Sequence, residues 1–185
     1  NQEGWTTYLQ DWGLGVIITE TDKNTQKFLV RNEANRNRAM IGDQVQFMPI
    51  NMINDKVDEL EWVQPGAEKK AMIWKKWMDC CQGEAIITNI IEKSNQNLVG
   101  VIEVETTKHR LGVNKRGVPY YQFKSCRAGD PPIKVATKSK KNIYVTVQID
   151  SWNCQERIPI GHIDLELGLV GVDSGEKKFL LAKNQ

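Results

Sequence analysis

Histidine is scarce in this chain: His109 and His162 are the only two among 185 residues. No Gly-x-Ser-x-Gly turn is present either, although Gly171-Val172-Asp173-Ser174-Gly175 comes near it. Nucleophilic catalysis of the Ser–His or Cys–His kind therefore lacks its parts. Cysteine is sparse as well. Cys80 and Cys81 are adjacent, and Cys126 and Cys154 stand alone, which excludes a disulfide scaffold and a Cys-x-x-Cys zinc site. His162 and Asp164 occupy alternate positions of a strand pattern and read as exposed polar residues, not metal ligands. Gly13-Leu14-Gly15 runs on into a strand pattern instead of a helix, so it is not a phosphate cradle. No apolar run approaches the roughly 20 residues of a membrane span, and no charged-then-apolar leader precedes the first strand. Membrane partners are not expected, and neither a catalytic nor a metal site is expected in these residues.

What the chain does have is an uneven distribution of charge. The net charge is only +2. Residues 1–66 carry −4, 67–105 carry −1 and 142–185 carry −2, whereas 106–141 carry +9, with ten lysines and arginines against Asp130 alone. A surplus confined to one block implies a polyanionic partner far better than the overall balance does.

Strand periodicity dominates the rest. In Lys141 to Phe179, Ile143, Val145, Val147 and Ile149 alternate with Tyr144, Thr146, Gln148 and Asp150. Ile163, Leu165, Leu167 and Leu169 then alternate with His162, Asp164 and Glu166. This predicts two half-buried strands turned over one another at Trp152, Asn153, Pro159 and Gly161. Upstream, Val16 to Thr19 and Phe28 to Val30 frame a polar turn, and Val45 and Phe47 mark another strand. Ala85 to Thr88, the polar Ser94 to Asn97 and Leu98 to Val101 restate the first hairpin. Between the two copies, Ala67, Ala71, Trp74, Met78 and Cys81 recur at helical spacing. The expected class is mainly β: two five-stranded antiparallel barrels of the OB or cold-shock type joined by an amphipathic helix. The boundaries are a leader at 1–12, a first barrel at 13–65, a linker helix at 66–82 and a second barrel at 83–182 with a basic insertion at 106–132.

Barrels of this type hold single strands by pairing cations for phosphates with flat rings for bases. The insertion supplies both. Its candidates are Lys108, Arg110, Lys115, Arg116, Tyr120, Tyr121, Lys124 and Arg127. Arg36 and Arg38, flanking a turn beside the first barrel's closing strand, are candidates for the same role. For Arg38, holding that turn through a carboxylate such as Asp43 is an equal alternative.

Several short runs carry a family likeness. Asn37-Arg38-Ala39 followed by Gly42-Asp43 and Val45, then Trp62-Val63-Gln64-Pro65, and finally Asp150-Ser151-Trp152 leading into Pro159, Gly161, His162, Leu167 and Gly168 resemble the tandem cold-shock domains of the RNase II/RNase R family. The likeness is to the eukaryotic branch that supplies the catalytic subunit of the RNA exosome. Ile158 stands where that branch often has tyrosine. The resemblance implies single-stranded RNA as ligand, exosome core subunits as partners and an intracellular site, nuclear and also cytoplasmic. The family hydrolyses RNA 3′ to 5′ with magnesium held by clustered aspartates in a following domain. No such aspartate run occurs here, and the chain begins at Asn1. The expectation is therefore a non-enzymatic piece of a longer magnesium-dependent exoribonuclease. A protein-docking scaffold on the exosome, or an RNA-binding regulator from a catalytically dead relative, are the alternatives.

Overall fold

The computed structural model describes residues 2–8, 15–20, 24–31, 33–50, 79, 81–106, 110–127 and 129–185, and among them alternating apolar residues build eleven strands, with two short helices set between and after them. They fall into two compact units, Asn1–Ser94 and Asn95–Gln185.

The first unit contains β1 (Gln2–Tyr8), β2 (Gly15–Glu20), β3 (Thr25–Val30), the single-turn α1 (Glu33–Arg36), β4 (Gln44–Ile50) and β5 (Gly83–Glu92). The strands close into a barrel in the order β1-β2-β3-β5-β4. Its one parallel pairing sets Phe28 against Gly83 and Leu29 against Glu84. Ile17, Phe28, Val30, Val45, Phe47, Ala85 and Ile87 fill the interior, with the Phe28 and Phe47 rings 5.0 Å apart at a tilt of 48°. The turn between α1 and β4 is tied to the last strand. Asn37 Nδ2 donates to the Ile87 and Thr88 carbonyls, while the buried Asp43 carboxylate accepts the Met40 N–H at 2.8 Å and the Ser94 N–H at 2.8 Å. These bonds hold Asn37 and Arg38 at φ 46° and 65°, a region that residues with a Cβ rarely occupy. The Asn-Arg-Ala…Gly-Asp signature is thus a latch between the turn and β5.

The second unit contains β6 (Leu98–Ile102), β7 (Arg110–Val113), β8 (Pro119–Ser125), β9 (Ile133–Ala136), β10 (Ile143–Ser151), β11 (Ile160–Leu169) and α2 (Asp173–Lys183). The sheet order is β6-β10-β11-β9-β8-β7, and an additional β6–β8 pairing brings the sheet back on itself with β7 left outside that seam. Strand neighbours repeat those of the first barrel, including one parallel pair, β9 with β11. Leu98, Ile102, Phe123, Ile133, Val135, Ile143, Val145, Val147 and Leu167 are buried in it.

The mainly β class stands, but several expectations need correction. Residues 2–8, placed in a leader, form β1 and pair with β2 and β4. Residues 83–92, placed at the start of the second barrel, are the fifth strand of the first, because β5 pairs with β4 over seven positions. Ser94 to Asn97 consequently joins the two units and does not turn back as a hairpin. Neither ring of strands is wholly antiparallel, since each carries one parallel pair. Of the helix expected over 66–82, Ala67, Ala71, Trp74 and Met78 lie outside the described residues, as does Trp62 to Pro65; Asp79 is helical, whereas Cys81 and Gln82, expected within the helix, are not. Leu165 and Leu169 were expected inside, yet they are 56% and 39% exposed. A register shift between Thr146 and Val147 inserts one residue into β11 and sets Leu165 on the other face, opposite Thr146. A second shift, between Tyr144 and Val145, restores the phase, so Leu169 pairs with the buried Ile143 but is the last residue of the strand.

Helix α2 was not foreseen either, because its apolar residues do not define a buried stripe: Leu180 and Leu181 are exposed. It docks by close approach instead. A Cβ on Gly175 would lie 2.3 Å from the Leu169 carbonyl. Tyr144 and Phe179 stack at 4.1 Å, and the Tyr144 hydroxyl donates to Glu176, which also accepts the Gly171 N–H. Burial, then the bond to Glu176 and its charge, push the Tyr144 hydroxyl pKa above its ordinary value near 10. A raised folded-state pKa means that this contribution is complete below pH 10 and is lost as pH climbs through the folded value. Melts between pH 8 and 11 are expected to show a steeper alkaline loss for the wild type than for Tyr144→Phe; identical pH curves would refute the linkage.

Candidate nucleic-acid interface

The basic insertion folds as a hairpin because Asn114 organises its turn. Asn114 Oδ1 accepts the Arg116 and Val118 N–H groups, both at 2.9 Å, while its own N–H donates to the Val118 carbonyl at 2.8 Å. Gly117 takes φ 78° and donates to the Asn114 carbonyl, which a Cβ would disfavour. With the turn's backbone so engaged, the exposed side chains of Lys115 and Arg116 project at the tip. This β7–β8 arm grows from the connection between the first two strands of the β6–β8 ring, where OB folds carry a ligand loop.

From the tip the chain enters β8. Phe123 is fully buried, so alternation sends Tyr120, Gln122 and Lys124 to the outer face and Tyr121 to the inner one. Pairing sets Tyr120 opposite Ala136, Gln122 opposite Lys134, and Lys124 opposite Val101. The outer row thus collects one ring and several polar or cationic groups from adjacent strands. Lys134 Nζ lies over the Tyr120 ring, 4.6 Å from its centre. No ion pair joins Lys115, Arg116, Lys124 or Lys134 to another described residue. Two carboxylates of β10 and β11 are engaged elsewhere: Asp150 meets His162 Nδ1 at 2.6 Å and Asp164 accepts from Asn97 at 3.1 Å.

The structure sorts the sequence candidates. Lys115 and Arg116 stand at the tip of the arm, and Tyr120 and Lys124 on the outer row of the strand that follows it. Arg110 opens β7 opposite Tyr121, and Lys108 lies outside the described residues. Tyr121 sits on the inner row, half-buried opposite Val135, and is poorly placed to stack a base. Arg127 is committed to its own loop. Its Nε and Nη2 each reach Asp130 at 2.9 Å and its Nη1 donates to Gln96 at 2.6 Å, with the Asp130 side chain wholly buried. Arg36 and Arg38 belong to the other unit. Arg36 is buried, 8% exposed, and Arg38 is half-buried beside the Asn37 carbonyl oxygen of its side chain. The residue missed from the sequence is Lys134. Its signal was present in Ile133-Lys134-Val135, a cation between two core residues, which alternation alone sends outward. Among the described residues no group of three or more His, Cys, Asp or Glu is arranged to hold a metal.

Residues 120–185 match the family model described as the Dis3-like cold-shock domain 2, so the matched segment opens on Tyr120 and takes in the outer row, β9 to β11 and α2. No curated protein matches the chain. Among solved structures, the fold is similar to that of yeast Ssd1, described as a pseudonuclease, with a TM-score of 0.65 and 14% identity. It is also similar to RNase R of Mycoplasma genitalium in its apo form, with a TM-score of 0.57 and 15% identity. The same RNase R in complex with ribose-methylated single-stranded RNA matches with the same TM-score and identity. Each similarity covers 99% of this chain and 24% of the other, so the chain spans about a quarter of these proteins. The family model thereby shows a likeness to the Dis3-like cold-shock domain 2 over the last third of the chain, and the solved structures show a likeness of fold, and of fold alone, to RNase R and Ssd1 over the whole.

Proposed function

We propose, from a second unit that matches a Dis3-like cold-shock domain, that this chain is the single-stranded-RNA-gathering part of a 3′–5′ exoribonuclease. Both units are read as OB-type barrels, with residues 66–82 as a helical connector. The RNA would be led toward a hydrolytic domain beyond these residues, where aspartates hold magnesium. The observation that carries the reading is an exposed Lys115–Arg116 tip leading into a strand whose outer row holds Tyr120 and Lys124, with no ion pair to these cations among the described residues. An RNase R complex with single-stranded RNA on a similar fold supports it. Exosome core subunits as partners and a nuclear and cytoplasmic site belong to the same proposal.

Filter binding with an oligoribonucleotide is the test. Three or four phosphate contacts at about 0.7 each predict a log–log salt slope of about −2 to −3. No binding at low salt, or binding indifferent to salt, would overturn the reading. The similarity to a pseudonuclease favours a second reading, an RNA-binding regulator without hydrolysis. Magnesium-dependent shortening of RNA by the complete polypeptide separates the two.

A further inference from the structure

The outer row contains a preassembled pair that the basic block alone does not reveal. The pairing register makes Lys134 a diagonal neighbour of Tyr120, and its ammonium already rests over the ring at 4.6 Å. Directly across from Tyr120 is the short Ala136, and directly across from Lys134 on the other side is Ile160. Neither neighbour offers a charge to draw the ammonium away, and Gln122, opposite Lys134, is neutral. A ring with a cation on one face keeps its other face for a flat partner, and the quadrupole attraction holds the lysine chain extended over it. The ammonium then lies within one side chain's breadth of wherever a stacked base would place its phosphate.

We propose that Tyr120 and Lys134 form one nucleotide-binding unit, the ring stacking a base on its free face while Lys134 Nζ neutralises the adjoining phosphate. This rests on the RNA-binding reading above and deepens it. The pair acts as a unit because the ring fixes where the ammonium sits. Lys134 without Tyr120 becomes a mobile surface lysine, and Tyr120 without Lys134 becomes a ring with no fixed charge beside it. The substrate class is a single strand with an unpaired base, since a base held in a duplex has no free face to offer.

The experiment is a double-mutant cycle on the full chain with an oligouridylate, read by affinity and by salt slope. Tyr120→Ala is expected to weaken binding by about tenfold to a hundredfold. Lys134→Met, which keeps the chain over the ring, is expected to weaken binding severalfold and flatten the slope by about 0.7. Lys134→Arg should retain the wild-type slope, and Tyr120→Phe should bind like wild type. The double variant Tyr120→Ala/Lys134→Met should lose clearly less than the product of the single losses. Unchanged binding and slope in Lys134→Met, or losses that multiply, would overturn the proposal while leaving RNA binding intact. A wild-type chain that fails to bind the oligonucleotide removes the broader reading instead. Circular dichroism and unfolding midpoints identify any variant whose loss comes from misfolding.

Discussion

Replacing Gly100 by alanine is expected to force open the seam that brings the second unit's sheet back on itself. Gly100 sits in the middle of β6, paired with Val145 on one side and Ser125 on the other. An added Cβ would lie 2.1 Å from the Lys124 carbonyl oxygen and 2.8 Å from the Phe123 ring. The first obstacle is backbone, and the second is a side chain with no exposure at all, so neither can yield locally. Overpacking usually costs about 1–3 kcal/mol and more where the backbone must shift. Against a stability of roughly 5–15 kcal/mol for a typical domain, about 3 kcal/mol or more is a large share. Urea unfolding with hydrogen exchange should show protection lost in β6, β8 and β10 while β2 to β5 keep theirs. Gly83→Ala is the matched control. It is also a buried strand glycine, but its nearest neighbours would be 3.8 Å from the new Cβ, so it should unfold like wild type. A wild-type unfolding curve for Gly100→Ala would mean that the β6–β8 seam does not carry the unit's stability.

The seam also shows where sequence reasoning reached and where it stopped. Alternation located most of the strands, and Ile143, Val145 and Val147 are buried as their period requires. What alternation cannot encode is which strand pairs with which. Ala85 to Thr88 and Leu98 to Val101 look like the arms of a hairpin, yet the first completes one barrel and the second begins the other unit. The polar residues between them permit a turn without demanding one, and tertiary pairing decides. Bulges defeat the pattern in a different way: the inserted residue in β11 leaves Leu165 facing solvent, because a strict two-residue period has no place for an extra residue.

For the site, composition located the block but could not separate cations that meet solvent from cations that serve the fold. Arg127 and Lys124 are equivalent in a charge count. Three residues after Arg127 comes Asp130, the one acid of the block, and that local spacing closes a clasp. Lys124 has no such neighbour and sits on the outer row. Arg36 and Arg38 were drawn from a turn signature that proved to be a latch to β5. The latch works through Asn37 and Asp43, so the arrangement of residues there has a structural explanation.

Those distinctions set the last expectation. Lys115→Ala with Arg116→Ala should weaken single-stranded RNA binding by tenfold or more at low salt and make the log–log salt slope shallower by about 1.4, two contacts at about 0.7 each. The turn itself should survive, since Asn114 holds the Arg116 N–H and not its guanidinium, and neither position takes a positive φ. The loss therefore reports charge and not a collapsed hairpin. Because the released counterions are the source of the lost affinity, the variant and wild-type lines should converge as salt rises toward about 1 M, where electrostatic attraction extends only about 3 Å. Arg127→Ala is the informative contrast: it strands the buried Asp130 and should lower the unit's unfolding midpoint while the slope per folded molecule stays as it was. If the tip variant kept the wild-type slope, the arm would not touch phosphates, and the RNA path would have to lie over the strands alone.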